Sequence, residues 1–242
     1  MSYANGPRIV TDGLVLHLDA ANRKSYPGSG NTWYDLSGNE HNATKTGTVA
    51  EITYNTNNKG YFDANVSSGS TGFTLGSKTA FNLGNNGAHS VIGIARFDVI
   101  DSYNTILGKS EGINLGSPYT WLHVIREGRM CSYRVLNGTG VWYGRSSDSP
   151  ANPVNVVVGQ WCHLAYCYNG TTLKWYFNGN LVNSTGYAYT DNTSHVLYTV
   201  ASWDSVWDFE GDISAVSLYN RELLIDEVKQ NYNALKGRYG LS

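Results

Sequence analysis

The chain is short of charge, of cysteine and of long apolar runs, and each shortage excludes something. Charged residues are 15% of the 242, and 17 Lys and Arg against 19 Asp and Glu leave a net charge of −2 at pH 7. Nothing in that balance attracts nucleic acid or an anionic membrane surface, so neither is expected as a partner. No apolar stretch approaches the length that spans a bilayer, so membrane insertion is not expected either. The opening stretch MSYANGPRIVTDG has no apolar core of signal-peptide length, which leads us to expect a chain that folds in the cytosol where it is made.

The three cysteines show no metal-ligand spacing. Cys162 and Cys167 fall in one predicted strand at an odd separation, so they point to opposite faces and cannot pair. Free, buried cysteines are expected. The Asn-x-Ser/Thr sites at Asn42, Asn65, Asn137, Asn169, Asn183 and Asn192 read as turn chemistry in an Asn- and Thr-rich chain.

What the chain does have is glycine (27), tyrosine (18) and tryptophan (7), which suits many turns between aromatic-rich strands. The first predicted strand is Leu14 to Asp19, with Leu14, Leu16 and Leu18 on one face. The irregular stretch after it is anchored by Trp33, Tyr34 and Leu36. Strands are predicted around Tyr61 and Phe73, and over Ser90 to Asp98, Thr105 to Gly108, Trp121 to Glu127 and Met130 to Leu136. Trp161 to Tyr168 alternates, Asn169-Gly170 turns the chain, and Leu173, Trp175 and Phe177 share one face of the next strand. Asn178-Gly179 suits a two-residue hairpin turn in which both residues take positive φ. Leu224, Val228, Tyr232 and Leu235 then recur at helical spacing, with Gly237 as the expected terminator. Many short strands and one amphipathic helix describe an all-β, two-sheet antiparallel sandwich with a helix packed outside it. No break in composition divides the chain, so one domain over 1–242 is expected, with a short N-terminal arm over 1–12.

Two stretches carry a family resemblance. GQWCHLAYCYNGTTLKWYFNGNLV resembles the central pattern of laminin G-like domains, a Trp-x-His pair (Trp161, His163) followed by Y-N-G-T-x-x-x-x-Y-x-N-G. FEGDISAVSLYNRELLIDEV resembles the closing pattern of the concanavalin A-like lectin/glucanase jelly rolls. Both ends, DGLVLHLDAANRKSYPGSGNTWYDLSGN and VKQNYNALKGRYGLS, resemble laminin G-like proteins of tailed-bacteriophage particles. The resemblance runs from about Gly13 to Gly240 and implies a concanavalin A-like jelly roll closed by its terminal helix. One departure is Leu224, where many relatives place a Ser or Thr helix cap. Asn220 or solvent is then expected to serve the first helical N–H groups, an uncapped start costing about 1 kcal/mol.

Glu210 and Asp212 share a strand face, as the paired acids of glucanases must, but Ser214 stands where that pattern would place another acid. The two are expected to line the rim at a strand start, and no catalysis is expected. His17, His163 and His195 are dispersed. The resemblance implies a structural role for His163 and raises the question of calcium at the sandwich rim, for which Asp35, Asn39 and Asn42 offer oxygen ligands, with ordinary Asx turns as the other reading. No other cofactor is expected. The candidate contact residues are aromatic: Trp142 and Tyr143 with Arg145, and Trp203 and Trp207 beside Asp204 and Asp208. Such groups can cap the sandwich ends, anchor a protein partner, or stack on sugar rings while carboxylates accept hydroxyl bonds.

The resemblance therefore implies a non-catalytic structural protein of a phage virion, a capsid decoration or a tail- or fibre-associated module. Its partners would be other capsid or tail proteins and host-surface carbohydrate, and it would suit a homo-oligomer. A cellular lectin-like module is the alternative, and a glycoside hydrolase fits the sequence least.

Overall fold

The computed structural model describes residues 7–65, 71–100, 103–110, 119–136, 139–143, 156–200 and 209–241. Its strands, in chain order, are β1 (Leu14–Asp19), β2 (Thr32–Trp33), β3 (Ala43–Thr46), β4 (Ile52–Asn55), β5 (Tyr61–Asn65), β6 (Gly72–Gly76), β7 (His89–Phe97) and β8 (Asn104–Ser110). After these come β9 (Tyr119–Arg126), β10 (Arg129–Leu136), β11 (Thr139–Tyr143), β12 (Trp161–Tyr168), β13 (Thr172–Phe177), β14 (Asn180–Gly186), β15 (Val196–Thr199) and β16 (Glu210–Tyr219), then an α-helix, α1 (Ile225–Tyr239). They form two eight-stranded antiparallel sheets. The first runs β14-β13-β12-β7-β16-β5-β4, with β1 also on β16, and the second runs β11-β10-β9-β8-β15-β6-β3-β2. This is the concanavalin A-like sandwich that the strand pattern and the resemblance anticipate.

The main core lies between the sheets and is aromatic: Trp33, Phe62, Phe73, Trp121, Tyr166, Tyr168 and Trp175 are all fully buried there. Alternation sorts the residues. On β12, Cys162, Leu164 and Tyr166 enter this core, while Ala165 and Cys167 join a second cluster on the outer face. The three cysteines are buried and none is in a disulfide, as expected. The β12-β13-β14 meander follows the sequence reading. Asn178 (φ 46°) and Gly179 (φ 79°) are both left-handed, as the hairpin turn requires, and Leu173, Trp175 and Phe177 face the core.

α1 packs on the outer face of the first sheet. Val228 meets Ile92, Ala165 and Cys167 there, and Leu235 and Tyr239 meet Ile94 and Ala215. The chain's beginning is held by the same helix. Val10 N–H donates to Asn231 Oδ1 at 2.8 Å, Tyr219 Oη donates to the Val10 carbonyl at 3.0 Å, and Gln230 Nε2 donates to the Arg8 carbonyl at 2.8 Å. Residues 8–10 are therefore part of the packed body, and not an arm free to dock elsewhere.

Four local expectations are corrected. A bulge between Leu14 and Leu16 breaks the alternation of β1, so Val15, Leu16 and Leu18 face the main core while Leu14 packs on the outer cluster. Trp33 anchors the long loop as expected, but Tyr34 is 43% exposed and Tyr26 takes its place, with both Trp33 and Tyr26 edge-on to Phe62. Gly237 does not end the helix. It continues to Tyr239 and stops at Gly240, which is left-handed (φ 64°) and donates to the Lys236 carbonyl. The extra turn puts Tyr239 against Trp161, with ring centroids 4.8 Å apart.

The helix start is not left to Asn220 or solvent. Leucine has no side-chain acceptor, so half a capping box forms. Glu227 Oε2 accepts the Leu224 N–H at 2.8 Å, and Arg221 grips the same carboxylate through both terminal nitrogens at 2.9 and 2.6 Å. The ion pair holds the Glu227 carboxyl below its ordinary range.

Candidate functional site

Register builds an aromatic surface on the face of the second sheet turned away from the main core. Trp142 on β11 is the direct cross-strand partner of Tyr133 on β10, and their ring centroids are 4.8 Å apart. Tyr103, just before β8, has its ring centroid 5.1 Å from that of Trp142. Arg126, at the end of β9, sets its guanidinium 4.2 Å over the Tyr103 ring and 5.7 Å from that of Trp142. Gly140 makes room for this arrangement, because a Cβ there would collide with the Tyr133 ring. Arg126 Nε and Nη1 are buried without a hydrogen-bond partner among the described residues, and the guanidinium makes an ion pair with Glu127 at 3.3 Å.

Tyr143, adjacent in sequence, points the other way. It packs against the main core, 5.2 Å from Tyr187, and its hydroxyl accepts from Arg134 Nη2 at 2.6 Å. Strand alternation thus separates Trp142 from Tyr143, and they do not share one contact surface. Arg145, Trp203, Asp204, Trp207 and Asp208 lie outside the described residues. Sequence reasoning missed Tyr103, Tyr133 and Arg126. The signal was the β10-β11 register, which no local motif encodes.

Asp35, Asn39 and Asn42 are brought together, but not to hold a cation. Asp35 Oδ1 accepts the N–H groups of His17 and Ser37, each at 2.9 Å. Its Oδ2 accepts Ser37 Oγ–H at 2.7 Å and the His41 N–H at 3.0 Å. A carboxylate offers about four acceptor positions, and all are taken by protein donors. These bonds depress the Asp35 carboxyl against the opposing effect of burial. Asn42 Oδ1 accepts the Asp35 N–H, while Asn39 donates its amide to the Val15 carbonyl. This is an Asx-anchored loop, and its donor set does not fit calcium. Among the described residues no group of three or more His, Cys, Asp or Glu is placed to hold a metal.

Glu210 and Asp212 do not sit together at the rim. Glu210 starts β16 and is half-buried, whereas Asp212 is 1% exposed in mid-sheet on the outer face. Its direct neighbours in register are Asp63 on β5 and Arg96 on β7, and Arg96 makes an ion pair with it. Arg96 in turn stands 5.8 Å from the ring of Tyr61 and 5.7 Å from that of Trp161. Burial raises the Asp212 carboxyl to about 7, and the Arg96 charge only partly offsets it. Ser214 donates to the Gly60 carbonyl and bonds the Tyr239 hydroxyl.

His163 is fully buried beneath α1, edge-on to Tyr232 at 5.7 Å, and burial lowers its imidazole to about 4. His17 is buried on the outer face, where Nδ1 meets Ser217 Oγ at 2.9 Å. His195 Nδ1 meets Thr120 Oγ1, also at 2.9 Å. The three are as dispersed as the sequence suggests. No helix among the described residues is long and apolar enough to cross a membrane.

Residues 95–229 match the family described as the concanavalin A-like lectin/glucanases superfamily. No curated protein sequence matches the chain. Among solved structures, the binding domain of Paraclostridial Mosquitocidal Protein 1 is similar over 93% of this chain and 52% of its own, with TM-score 0.67 and 16% identity. The botulinum neurotoxin type G receptor binding domain is similar over 91% of this chain and 51% of its own, with TM-score 0.58 and 16% identity. The chain thus spans about half the length of these toxin domains. Domain 4 of AbnA, a GH43 extracellular arabinanase from Geobacillus stearothermophilus, in complex with arabinotriose, is similar over 90% of this chain and 98% of its own, with TM-score 0.59 and 19% identity.

Proposed function

The chain belongs to the concanavalin A-like lectin/glucanases superfamily, and from that premise we propose that it is a non-catalytic recognition module that binds carbohydrate and is carried on a tailed-phage particle. The observation that carries the binding reading is the Tyr103–Trp142–Tyr133 surface with Arg126 beside it. Half-buried aromatic faces receive the C–H faces of sugar rings, and the Arg126 guanidinium brings a positive charge beside them. That the same fold carries toxin receptor-binding domains and an arabinotriose-bound domain supports the reading without assigning a ligand. The virion reading rests on the phage-like wording of both ends of the sequence. Arg145, Trp203, Asp204, Trp207 and Asp208 are proposed as further contact residues on their chemistry alone.

Catalysis is disfavoured by the acids themselves. A catalytic acid touches its substrate. Asp212 is buried in mid-sheet and ion-paired with Arg96, and Ser214 stands where the glucanase pattern would place another acid.

A glycan array with the purified protein, run beside Trp142→Ala, tests the proposal. Binding that is specific in the wild type and lost in the variant is the expected result. Silence across the array, or binding indifferent to the variant, rejects the surface. Phage particles of the source that lack this polypeptide by mass spectrometry reject the virion assignment separately.

A further inference from the structure

The outer face of the first sheet carries a second concavity, far in register from Trp142. Two hollows of about 300 and 320 Å³ lie side by side where the C-terminal half of α1 crosses β12 and the β13-β14 turn. Asn178 lines both, so they form one trough. Trp161 stands at one end, and Lys229, Tyr232 and Lys236 form the helical wall at the other.

The trough is positively charged in a chain of net charge −2. None of its lining residues is acidic. The other cations around α1 are neutralised: Arg221 by Glu227, Lys174 by Glu222 and Arg238 by Asp19. Lys229 and Lys236 make no ion pair among the described residues. Seven residues apart, they stand two turns and about 10 Å apart on one helix face. Lys236 also lies 5.4 Å from the Tyr232 ring.

Beneath the trough are buried polar groups. The Trp161 indole N–H and both ring nitrogens of His163 have no hydrogen-bond partner among the described residues. His163 is tied to the shared residue of the trough: its N–H donates to Asn178 Oδ1 at 3.0 Å, and the Asn178 N–H donates back to its carbonyl at 2.9 Å. With Oδ1 taken, Asn178 presents its Nδ2 as a donor. A site combining aromatic rings, an amide donor and two ammonium groups that make no ion pair among the described residues matches a hydroxyl-rich ligand with negative charges.

We infer that this trough binds an oligosaccharide bearing carboxylate groups. Lys229 and Lys236 engage separate acidic substituents at the helical end, and Trp161 and Asn178 contact a ring farther along the trough. The inference rests on the recognition reading above for its class of ligand, but it uses a different face of the sandwich.

Isothermal titration with trigalacturonate, its methyl ester and a heparin tetrasaccharide tests it. The variants are Lys229→Gln/Lys236→Gln, the charge-matched control Arg23→Gln/Lys24→Gln, and Trp142→Ala. All four substituted cations are exposed side chains, and an unchanged Tm verifies the fold. At least one acidic saccharide is expected to bind the wild type, and to bind the Lys229/Lys236 variant at least about tenfold more weakly. The methyl ester is expected to bind at least about tenfold more weakly than the free acid. The control and Trp142→Ala should leave affinity unchanged. Failure of both acidic probes to bind, equal binding by the lysine variant, or equal binding of acid and ester overturns the trough. Loss in Trp142→Ala alone also overturns it while leaving the recognition reading intact. Binding lost only in the lysine variant, with the array unmoved by Trp142→Ala, upholds the trough and removes the Trp142 surface.

Discussion

His89 and His123 face each other across the two sheets, Nε2 to Nε2 at 3.2 Å, both fully buried. Their surroundings dictate where the protons sit. His89 Nδ1 lies 2.9 Å from the Gly87 carbonyl, which only accepts, so His89 carries its proton on Nδ1. His89 Nε2 must then accept from His123 Nε2–H. His123 Nδ1 accepts from Ser132 Oγ–H at 2.8 Å, and Ser132 Oγ accepts from the Trp175 indole at 3.3 Å. A one-way chain of hydrogen bonds thus staples β7 to β9 and β10 to β13 with both imidazoles neutral.

Protonating either histidine breaks that chain. Burial lowers His89 to about 4 and His123 well below its ordinary value, with the nearby Asp191 and Lys109 charges as lesser influences on His89. The unfolded chain titrates near 6.5. The stability these groups contribute is therefore complete above about pH 6.5 and drains away as pH falls toward 4. Thermal melts from pH 7.5 to 4 should show a falling Tm. His123→Gln, which keeps a donor for His89 Nε2 but does not titrate, should show a shallower fall. Parallel curves would refute this assignment.

Asp212 acts with the opposite sign. Its carboxyl is raised to about 7 from an ordinary value near 3.8, with burial as the largest cause. The folded state holds the proton after the unfolded state has lost it, so this group removes stability as pH rises from about 4 to 7. Asp212→Asn should therefore gain Tm relative to the wild type on going from pH 4.5 to pH 8. A constant difference across that range would show that Arg96 fully compensates the buried charge.

Glu227→Ala removes the acceptor for the Leu224 N–H and the ion pair to Arg221 together. A loss of about 1 kcal/mol in urea unfolding is expected, typical of a lost cap. Asn220→Ala, at the position the sequence favoured, should cost less. The reverse order would show that Glu227 is not the cap.

Lys109 is wholly buried and donates to the Phe81 carbonyl at 3.0 Å, Asn82 Oδ1 at 2.9 Å and Asp191 Oδ1 at 2.6 Å. Lys109→Met should destabilise by about 3 kcal/mol or more, since it strands the buried Asp191 charge. In the double variant with Asp191→Asn, part of that loss should return. Strict additivity of the two changes would mean that the pair is not coupled.

Local chemistry made much of the fold legible. The β12-β13-β14 meander, its left-handed Asn178-Gly179 turn and the amphipathic α1 all rest on neighbours in sequence, where alternation, turn residues and helical spacing leave a direct mark. The errors came where distant chain decides. Gly237 looked like a helix terminator until Tyr239 was placed against Trp161, and Asp212 looked like a rim residue until β5 and β7 enclosed it.

The sites divide in the same way. Trp142 stood out as an aromatic in a polar stretch, but its partners Tyr133, Tyr103 and Arg126 come from the β10-β11 register and the approach of β8. Asp35, Asn39 and Asn42 had the composition of a cation loop, and only the donors from His17, Ser37 and His41 show that the carboxylate is already filled. By itself the sequence determined the longer strands of the sandwich, the β12-β13-β14 meander and the amphipathic helix that follows β16, because these depend on side-chain period and turn stereochemistry. Tertiary structure alone decided which polar groups are satisfied, which carboxylates are buried and which aromatics meet, because those depend on pairings between residues tens to hundreds of positions apart.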